Sequence, residues 1–207
     1  MQVLPGLMLI AFLIPAVFGI ALLAVVALTM VYAPRAHEID NVILLARKLD
    51  PSDLEVLFDA GAEWQLRQSL GTADFRIALE DRIRLAQEYL RRLGHNTTLI
   101  QFWVLREKQK IESKAGSEQT ERKLLAAQAL QLAVELRLYS LAAGARIWLW
   151  RASQAHRWPA GWAPHMAALR VQCGVNVVEK YRKLTDLAIA LSAPYSEAYR
   201  DRLLQAL

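Results

Sequence analysis

The chain begins with a block of apolar residues that carries no charge. It runs from Val3 to Val31 (VLPGLMLIAFLIPAVFGIALLAVVALTMV), a length of 29 residues. A helix rises about 1.5 Å per residue, so the block would extend about 43 Å, whereas the hydrocarbon core of a bilayer is about 30 Å thick. Because a backbone in lipid must satisfy its own hydrogen bonds, Pro15 predicts a kink within a continuous helix. The sequence therefore predicts a transmembrane anchor over residues 1–34.

A cleaved secretory signal and a buried soluble helix are the alternatives for this block. A signal peptide has a positively charged start and an apolar core of about 7–15 residues, and this block has neither. The nearby cations, Arg35, Arg47 and Lys48, all follow it. The positive-inside rule then predicts a single-pass protein of the cell membrane, with its N-terminus outside and its C-terminal domain cytoplasmic. Tyr32 and Arg35 are the expected membrane-boundary residues, because aromatic rings and cations favour the headgroup region.

Beyond the anchor, apolar positions recur at helical spacing and predict an all-α, multi-helix bundle over residues 35–207. There is no proline between Pro51 and Pro159, which suits long helices. Asp50 can cap a helix that starts at Pro51, and a short helix over about 36–48 would precede it. We find no strand-like alternation and no Asn-Gly or Asp-Gly turn, so no sheet is expected.

Residues 73–93 give the clearest helical pattern. Gly94 can end this helix in the left-handed conformation, and Asn96 or Thr97 would then open another helix that fades near Gly116. The apolar stripe of the first helix is spaced three or four residues apart: Phe75, Leu79, Ile83, Ala86, Leu90 and Leu93.

The longest run, from Glu118 to about Ser153, is apolar around much of its circumference. A second membrane span is the alternative, but Glu135, Arg137 and Arg146 would each cost on the order of 2.5–3.5 kcal/mol near the centre of a bilayer. We therefore interpret the run as the buried central helix of the bundle.

Two further helices are predicted after a break at 158–164. The first would begin at Pro164, and Pro194 would start a short terminal helix. The inner stripe of the first is predicted to be Met166, Leu169, Cys173, Val177, Tyr181, Leu184 and Leu191.

The charge of the chain adds only a little to the prediction of its partners. All 45 charged residues follow residue 33, and the net charge is +5 with a pI near 9.5. Basic residues near anionic lipid gain about 1 kcal/mol each, and nucleic acid would attract the same cations. Acidic residues alternate with the basic ones on the helices around residues 80–114, so a solvated face is the preferred interpretation. Lipid contact comes second and nucleic acid is disfavoured.

The sequence contains no recognisable catalytic or metal-binding motif. None of the four histidines has a second ligand at metal-site spacing, and HExxH, GxSxG, GxGxxG and GxxxxGK[ST] are absent. Cys173 lies on a predicted apolar stripe and is interpreted as a buried hydrophobe. We expect no metal and no cofactor. A membrane-bound enzyme stays open as an alternative, and its candidate pocket residues would be His156, His165, Glu135 and Arg137.

One cluster stands out as a candidate interface. Tryptophans and arginines concentrate around a predicted break, and such pairs suit a membrane interface or a partner-binding hot spot. Core packing of the indoles at helix ends is the preferred alternative. The candidate residues are Arg146, Trp148, Trp150, Arg151, Arg157, Trp158 and Trp162.

Together these patterns predict a membrane-anchored helical protein with a non-catalytic interaction or scaffolding role. A membrane-surface or membrane-shaping module that uses the Trp/Arg segment is the first alternative, and the enzyme is the second. The expected partners are the lipid bilayer and either another protein or a second copy. Small residues at Ala11 and Gly19, with Pro15 between them, would allow two anchors to approach closely.

Overall fold

The computed structural model describes residues 39–57, 59–113, 118–155, 171–172 and 175–207. The chain divides into the units Met1–Pro34 and Arg35–Leu207, and every described residue belongs to the second. The predicted transmembrane helix lies outside the described residues, and so do its boundary residues Tyr32 and Arg35.

The second unit is a bundle of α-helices, which confirms the all-α prediction. A two-stranded ladder of four residues is the exception within the described part. In chain order the elements are α1 (Ile39–Leu45), α2 (Pro51–Leu57), α3 (Ala60–Ser69), α4 (Thr72–Glu112), α5 (Glu118–Ala155), β1 (Val171–Gln172), β2 (Val175–Asn176), α6 (Val177–Leu191) and α7 (Glu197–Ala206).

The two longest helices, α4 and α5, pack along each other and form the centre of the bundle. Helix α6 packs against α5, and the shorter helices cover the remaining sides of α4 and α6. Within the described ranges no helix, α5 included, combines the length and mean hydropathy of a membrane span. The large side chains that are fully buried at the centre are Ile83, Leu93, Leu99, Ile100, Trp103, Leu136, Tyr139, Ile147 and Tyr181.

Helix α4 differs from the prediction because it does not end at Gly94. It continues for 41 residues to Glu112, so the two expected helices are one. Gly94 costs a helix interior about 1 kcal/mol relative to alanine, and packing along α5 outweighs that cost. A Cβ built at Gly94 would lie 3.8 Å from the Cβ of Ser140 on α5, which is ordinary contact distance.

Asn96 is not a helix cap, as the sequence had suggested, but a buried tertiary contact. Its Oδ1 accepts a hydrogen bond from the Arg47 backbone N–H at 2.8 Å, and its Nδ2 donates to the Arg47 carbonyl at 2.7 Å. The same Nδ2 donates to the hydroxyl of Tyr181 at 3.0 Å, and that hydroxyl donates to the main-chain oxygen of Leu207 at 3.1 Å. This network joins α4, α6, the segment after α1 and the end of α7.

The helix predicted from Pro164 is confirmed only from Val177, where α6 begins, and residues 164–170 lie outside the described part of the chain. Residues 171–172 and 175–176 form an antiparallel ladder instead, in which Val171 faces Asn176. Val171 and Val175 are β-branched, which is compatible with an extended backbone, although Val177 and Val178 already belong to α6. From α6 onward the predicted stripe is confirmed, since Val177, Tyr181, Leu184 and Leu191 are buried. Its earlier members Met166, Leu169 and Cys173 lie outside the described residues.

The ends of two other helices also differ slightly from expectation. Helix α1 ends at Leu45 rather than near residue 48, and residues 36–38 of the prediction lie outside the described part. Helix α2 starts at Pro51 as predicted, with Asp50 accepting a hydrogen bond from the Ser52 backbone N–H at 2.8 Å. The terminal helix α7 starts at Glu197 rather than Pro194. A turn closed by Tyr195 N–H and the Ser192 carbonyl at 2.9 Å occupies that position.

Candidate functional site

Helix α5 has a conventional core face. Half of its buried residues there are alanines, which allow α4 and α6 to approach the helix axis closely. The buried residues of this inner face are Ala126, Ala129, Leu132, Ala133, Leu136, Tyr139, Ala143 and Ile147.

The opposite side of α5 carries a second apolar row, and this row faces solvent. Its members are spaced alternately three and four residues apart, which keeps them on one side of a helix. Leu124 is 60 % exposed, Val134 43 %, Leu138 49 % and Trp148 64 %. We call this row the outer stripe, and it consists of Leu124, Ala127, Gln131, Val134, Leu138, Leu141, Ala145 and Trp148.

The outer stripe is long and almost wholly apolar. Seven of its eight residues are apolar, and 24 steps of about 1.5 Å give a length of about 36 Å. The prediction of a buried central helix is therefore correct for one side of α5 and wrong for the other. Contiguous exposed apolar surface of this kind marks an interaction site more often than an isolated exposed leucine does.

Along the sequence, positive charge is concentrated in and after the C-terminal half of α5, where Arg146 and Arg151 are exposed and Arg137 is buried. Residues 136–178 contain five arginines and no acidic residue. The other residues of the chain carry 20 Lys and Arg against 20 Asp and Glu, so the net charge of +5 arises from this one stretch. Four of the six tryptophans lie in it as well. This local excess of basic residues can be found in the sequence, but the net charge of the whole chain does not reveal where it lies.

Three of the seven candidate interface residues are exposed on the last turns of α5. Arg151, three residues after Trp148, lies on the same side of the helix, whereas Arg146, two residues before Trp148, points to a different side. The exposure of Trp148 does not fit the core-packing interpretation of the tryptophans. Trp150 lies in α5, but its side chain falls outside what the structure describes, as do Arg157, Trp158 and Trp162.

Two of the residues suggested for an enzymatic pocket, Glu135 and Arg137, make contacts with neighbouring side chains rather than with each other. Glu135 accepts hydrogen bonds from Lys180 at 2.6 Å and Gln131 at 3.0 Å, and the Lys180 contact lowers the pKa of Glu135. Arg137 is 8 % exposed and donates to the side-chain oxygen of Gln101 on α4 at 2.8 Å. Burial lowers the pKa of Arg137. His156 and His165 lie outside the described ranges, so the pocket as a whole stays a prediction.

A buried carboxylate that the sequence did not single out lies at the other end of the bundle. Glu107 is 4 % exposed, and its Oε1 accepts hydrogen bonds from the Tyr195 hydroxyl at 2.6 Å and Lys110 Nζ at 2.7 Å. Arg122 lies 3.9 Å from its Oε2. The Glu107 contact raises the pKa of Lys110, while burial and then that contact raise the pKa of Tyr195. The cluster ties α4, α5 and the loop before α7 together, and Lys110 and Arg122 compensate the negative charge of the buried carboxylate.

A cleft of about 360 Å³ opens between the segment after α1, α6 and α7. Lys48 and Arg182 face Asp50 and Asp186 across it, so no sign of charge dominates. Arg182 also pairs with Glu55 at 3.0 Å. The cleft therefore lacks the charge bias that would favour an ionic ligand. Its lining is completed by Leu49, Tyr181, Thr185, Leu204, Gln205 and Leu207.

These features define the described part as a helical bundle with one extended exposed surface. Across it, no group of three or more His, Cys, Asp or Glu residues could hold a metal ion. No protein-family model matches the chain, and no curated protein or solved structure is significantly similar to it.

Proposed function

We propose that the chain is a single-pass membrane protein whose N-terminal segment anchors a cytoplasmic helical domain with a non-catalytic interaction or scaffolding role. The observation that carries the proposal is the uncharged run of 29 residues from Val3 to Val31. A run of this length exceeds what a bilayer span requires. It is followed by a helical unit, Arg35–Leu207, that has its own hydrophobic core.

The interaction role is supported by where the polar and apolar groups of the described helices lie. Buried polar side chains such as Asn96 and Glu107 are engaged in contacts between helices. The large apolar side chains of the outer stripe face solvent instead. Stability is therefore provided inside the bundle, and an extended contact surface remains on the outside.

The orientation rests on the cations that follow the anchor. Arg35, Arg47 and Lys48 lie within about 20 residues of its C-terminal end, where the positive-inside rule counts them. Met1 and Gln2, on its N-terminal side, have no basic side chain. This places the domain on the cytoplasmic side in our proposal.

Cysteine labelling in intact cells tests the anchor and the orientation together. Single cysteines replace Gln2 or Ser117 in a Cys173→Ser background, and a membrane-impermeant maleimide is added before or after lysis. We expect Gln2→Cys to react in intact cells and Ser117→Cys to react only after lysis. Reaction of Ser117→Cys in intact cells would contradict the orientation, and release of the protein from membranes by alkaline carbonate would contradict the anchor.

A further inference from the structure

We propose that the outer stripe of α5, with Arg146 and Arg151, lies on the surface of a bilayer that contains anionic lipid. This deepens the proposed function by naming the surface through which the domain contacts the membrane. The first observation is the exposure of the stripe. Four large apolar side chains, from Leu124 to Trp148, are 43–64 % exposed along one side of a helix whose other side is already packed in the core.

The second observation is the charge beside the stripe. No acidic residue follows Glu135 in α5, and Arg146 and Arg151 are exposed near its C-terminal end, so this end of the helix suits an anionic partner. Acidic residues near the stripe lie at its N-terminal half, where Glu121 is exposed and Glu135 is paired with Lys180. The C-terminal half should therefore approach an anionic surface more closely than the N-terminal half does.

The third observation is the chemistry of the contact itself. Leucine, valine and alanine side chains can enter the boundary between headgroups and acyl chains, and tryptophan and arginine favour the headgroup level. Arg151 lies one turn after Trp148 on the same side of the helix, and Arg146 lies further round it. An apolar row with cations and an indole at its edge is the pattern of an interfacial helix rather than of a core helix.

Two other occupants fit less well. A second copy that packs antiparallel on the stripe would place its Arg151 beside Lys123 of the first, and a parallel copy would place like arginines side by side. Like charges that face each other are unfavourable. Nucleic acid would use the arginines, but the aliphatic residues of the stripe offer neither stacking nor hydrogen bonds to it.

The test measures lipid contact at single positions of the full-length chain in vesicles. A Cys173→Ser background carries one cysteine, at Leu138 on the stripe or at Lys183 on the exposed side of α6, and each cysteine is labelled with the environment-sensitive dye NBD. Vesicles contain phosphatidylcholine alone or with about one-third phosphatidylglycerol, and a spin label on the acyl chains quenches dyes that reach them. Both positions are exposed, so the labels do not enter the core.

We expect a blue-shifted, quenched dye at Leu138→Cys in anionic vesicles and an unquenched dye at Lys183→Cys. Arg146→Gln with Arg151→Gln should weaken the contact, because each cation near the surface contributes about fivefold to partitioning. The matched control is Arg67→Gln with Arg76→Gln, which removes two exposed cations from α3 and α4. This control should leave the quenching at Leu138→Cys unchanged.

Equal quenching at the stripe and the control position would overturn the proposal. It would also be overturned if Leu138→Cys formed efficient disulfides between copies while remaining unquenched, since a second copy would then occupy the stripe. Flotation of the protein with vesicles after carbonate treatment reports on the anchor separately. Flotation without quenching therefore refutes the stripe proposal alone, whereas quenching without carbonate resistance refutes the anchor alone.

Discussion

Asn96 offers the sharpest test of how the bundle is held together. Its side chain is fully buried and makes three hydrogen bonds, two to the backbone of Arg47 and one to the hydroxyl of Tyr181. Asn96→Ala removes all three bonds while leaving a residue that favours the helix. The variant therefore isolates the loss of the polar contacts from any loss of helix propensity.

The expected cost follows from the groups left without a partner. A buried donor or acceptor that loses its partner costs about 1–3 kcal/mol. The substitution affects the N–H and carbonyl of Arg47 and one bond of the Tyr181 hydroxyl. Arg47 is half-buried, so water can replace part of what is lost. We therefore expect the free energy of unfolding to fall by about 3 kcal/mol, which corresponds to a Tm lower by about 6–12 °C in a domain of this size.

The measurement is urea and thermal unfolding of the full-length chain in detergent, followed by near-ultraviolet circular dichroism. Gln68→Ala, which changes an exposed residue of α3, is the control and should be neutral. Tyr181→Phe removes only the hydroxyl and should cost about 1–1.5 kcal/mol. Because Asn96 and Tyr181 share a bond, the double variant should lose less than the sum of the two single variants. A loss below about 1 kcal/mol for Asn96→Ala, or strict additivity in the double variant, would refute the reasoning.

Three further predictions use the same unfolding measurement. Gly94→Ala should raise the free energy of unfolding by about 0.5–1 kcal/mol, because the position is inside a helix and the new Cβ meets Ser140 at contact distance; a destabilised variant would contradict the continuity of α4. Glu107→Gln should lower the free energy of unfolding by about 2 kcal/mol, since it weakens the charge-assisted bond from Tyr195, and an unchanged urea midpoint would argue against this. Burial raises the pKa of Tyr181 to about 12, above its value of about 10 in the unfolded chain. The contribution of this group is therefore complete below pH 10 and is lost as the pH rises toward 12, and Tyr181→Phe should lose stability less steeply over this range, with the remaining loss due to other tyrosines such as Tyr139, whose pKa burial also raises.

The local pattern of apolar and capping residues was sufficient to predict most of the helices. The stripe from Ile83 to Leu93 is buried as predicted, because three-and-four spacing fixes one side of a helix whatever it packs against. The start of α2 at Pro51 was equally predictable, since a capping aspartate before a proline is a local signal. These features depend on neighbours in sequence, which is why the sequence reveals them.

Features that depend on distant contacts could not be predicted in the same way. Gly94 is a natural helix end, and the chain passes through it as a helix because α4 packs along α5 on both sides of it. Asn96 is a natural cap, yet its amide is used to hold the backbone at Arg47, 49 residues away. The contact with α5 and the contact with Arg47 cannot be read from neighbouring residues. The prediction from local sequence, a helix end at Gly94 and a cap at Asn96, was therefore wrong at both positions.

The candidate surface presents a different difficulty, because α5 is apolar around much of its circumference and its sequence does not reveal which side is buried. In a helix shaped by folding alone, the exposed side would be polar and the apolar side chains would face the core. Here half of the buried positions are alanines, while Leu124, Val134, Leu138 and Trp148 face solvent. These exposed side chains do not contribute to the core, and their contact with water is unfavourable in free energy. Since the surrounding sequence also lacks acidic residues from 136 to 178, we infer that one side of α5 maintains the fold and the other is shaped for an anionic, partly apolar partner.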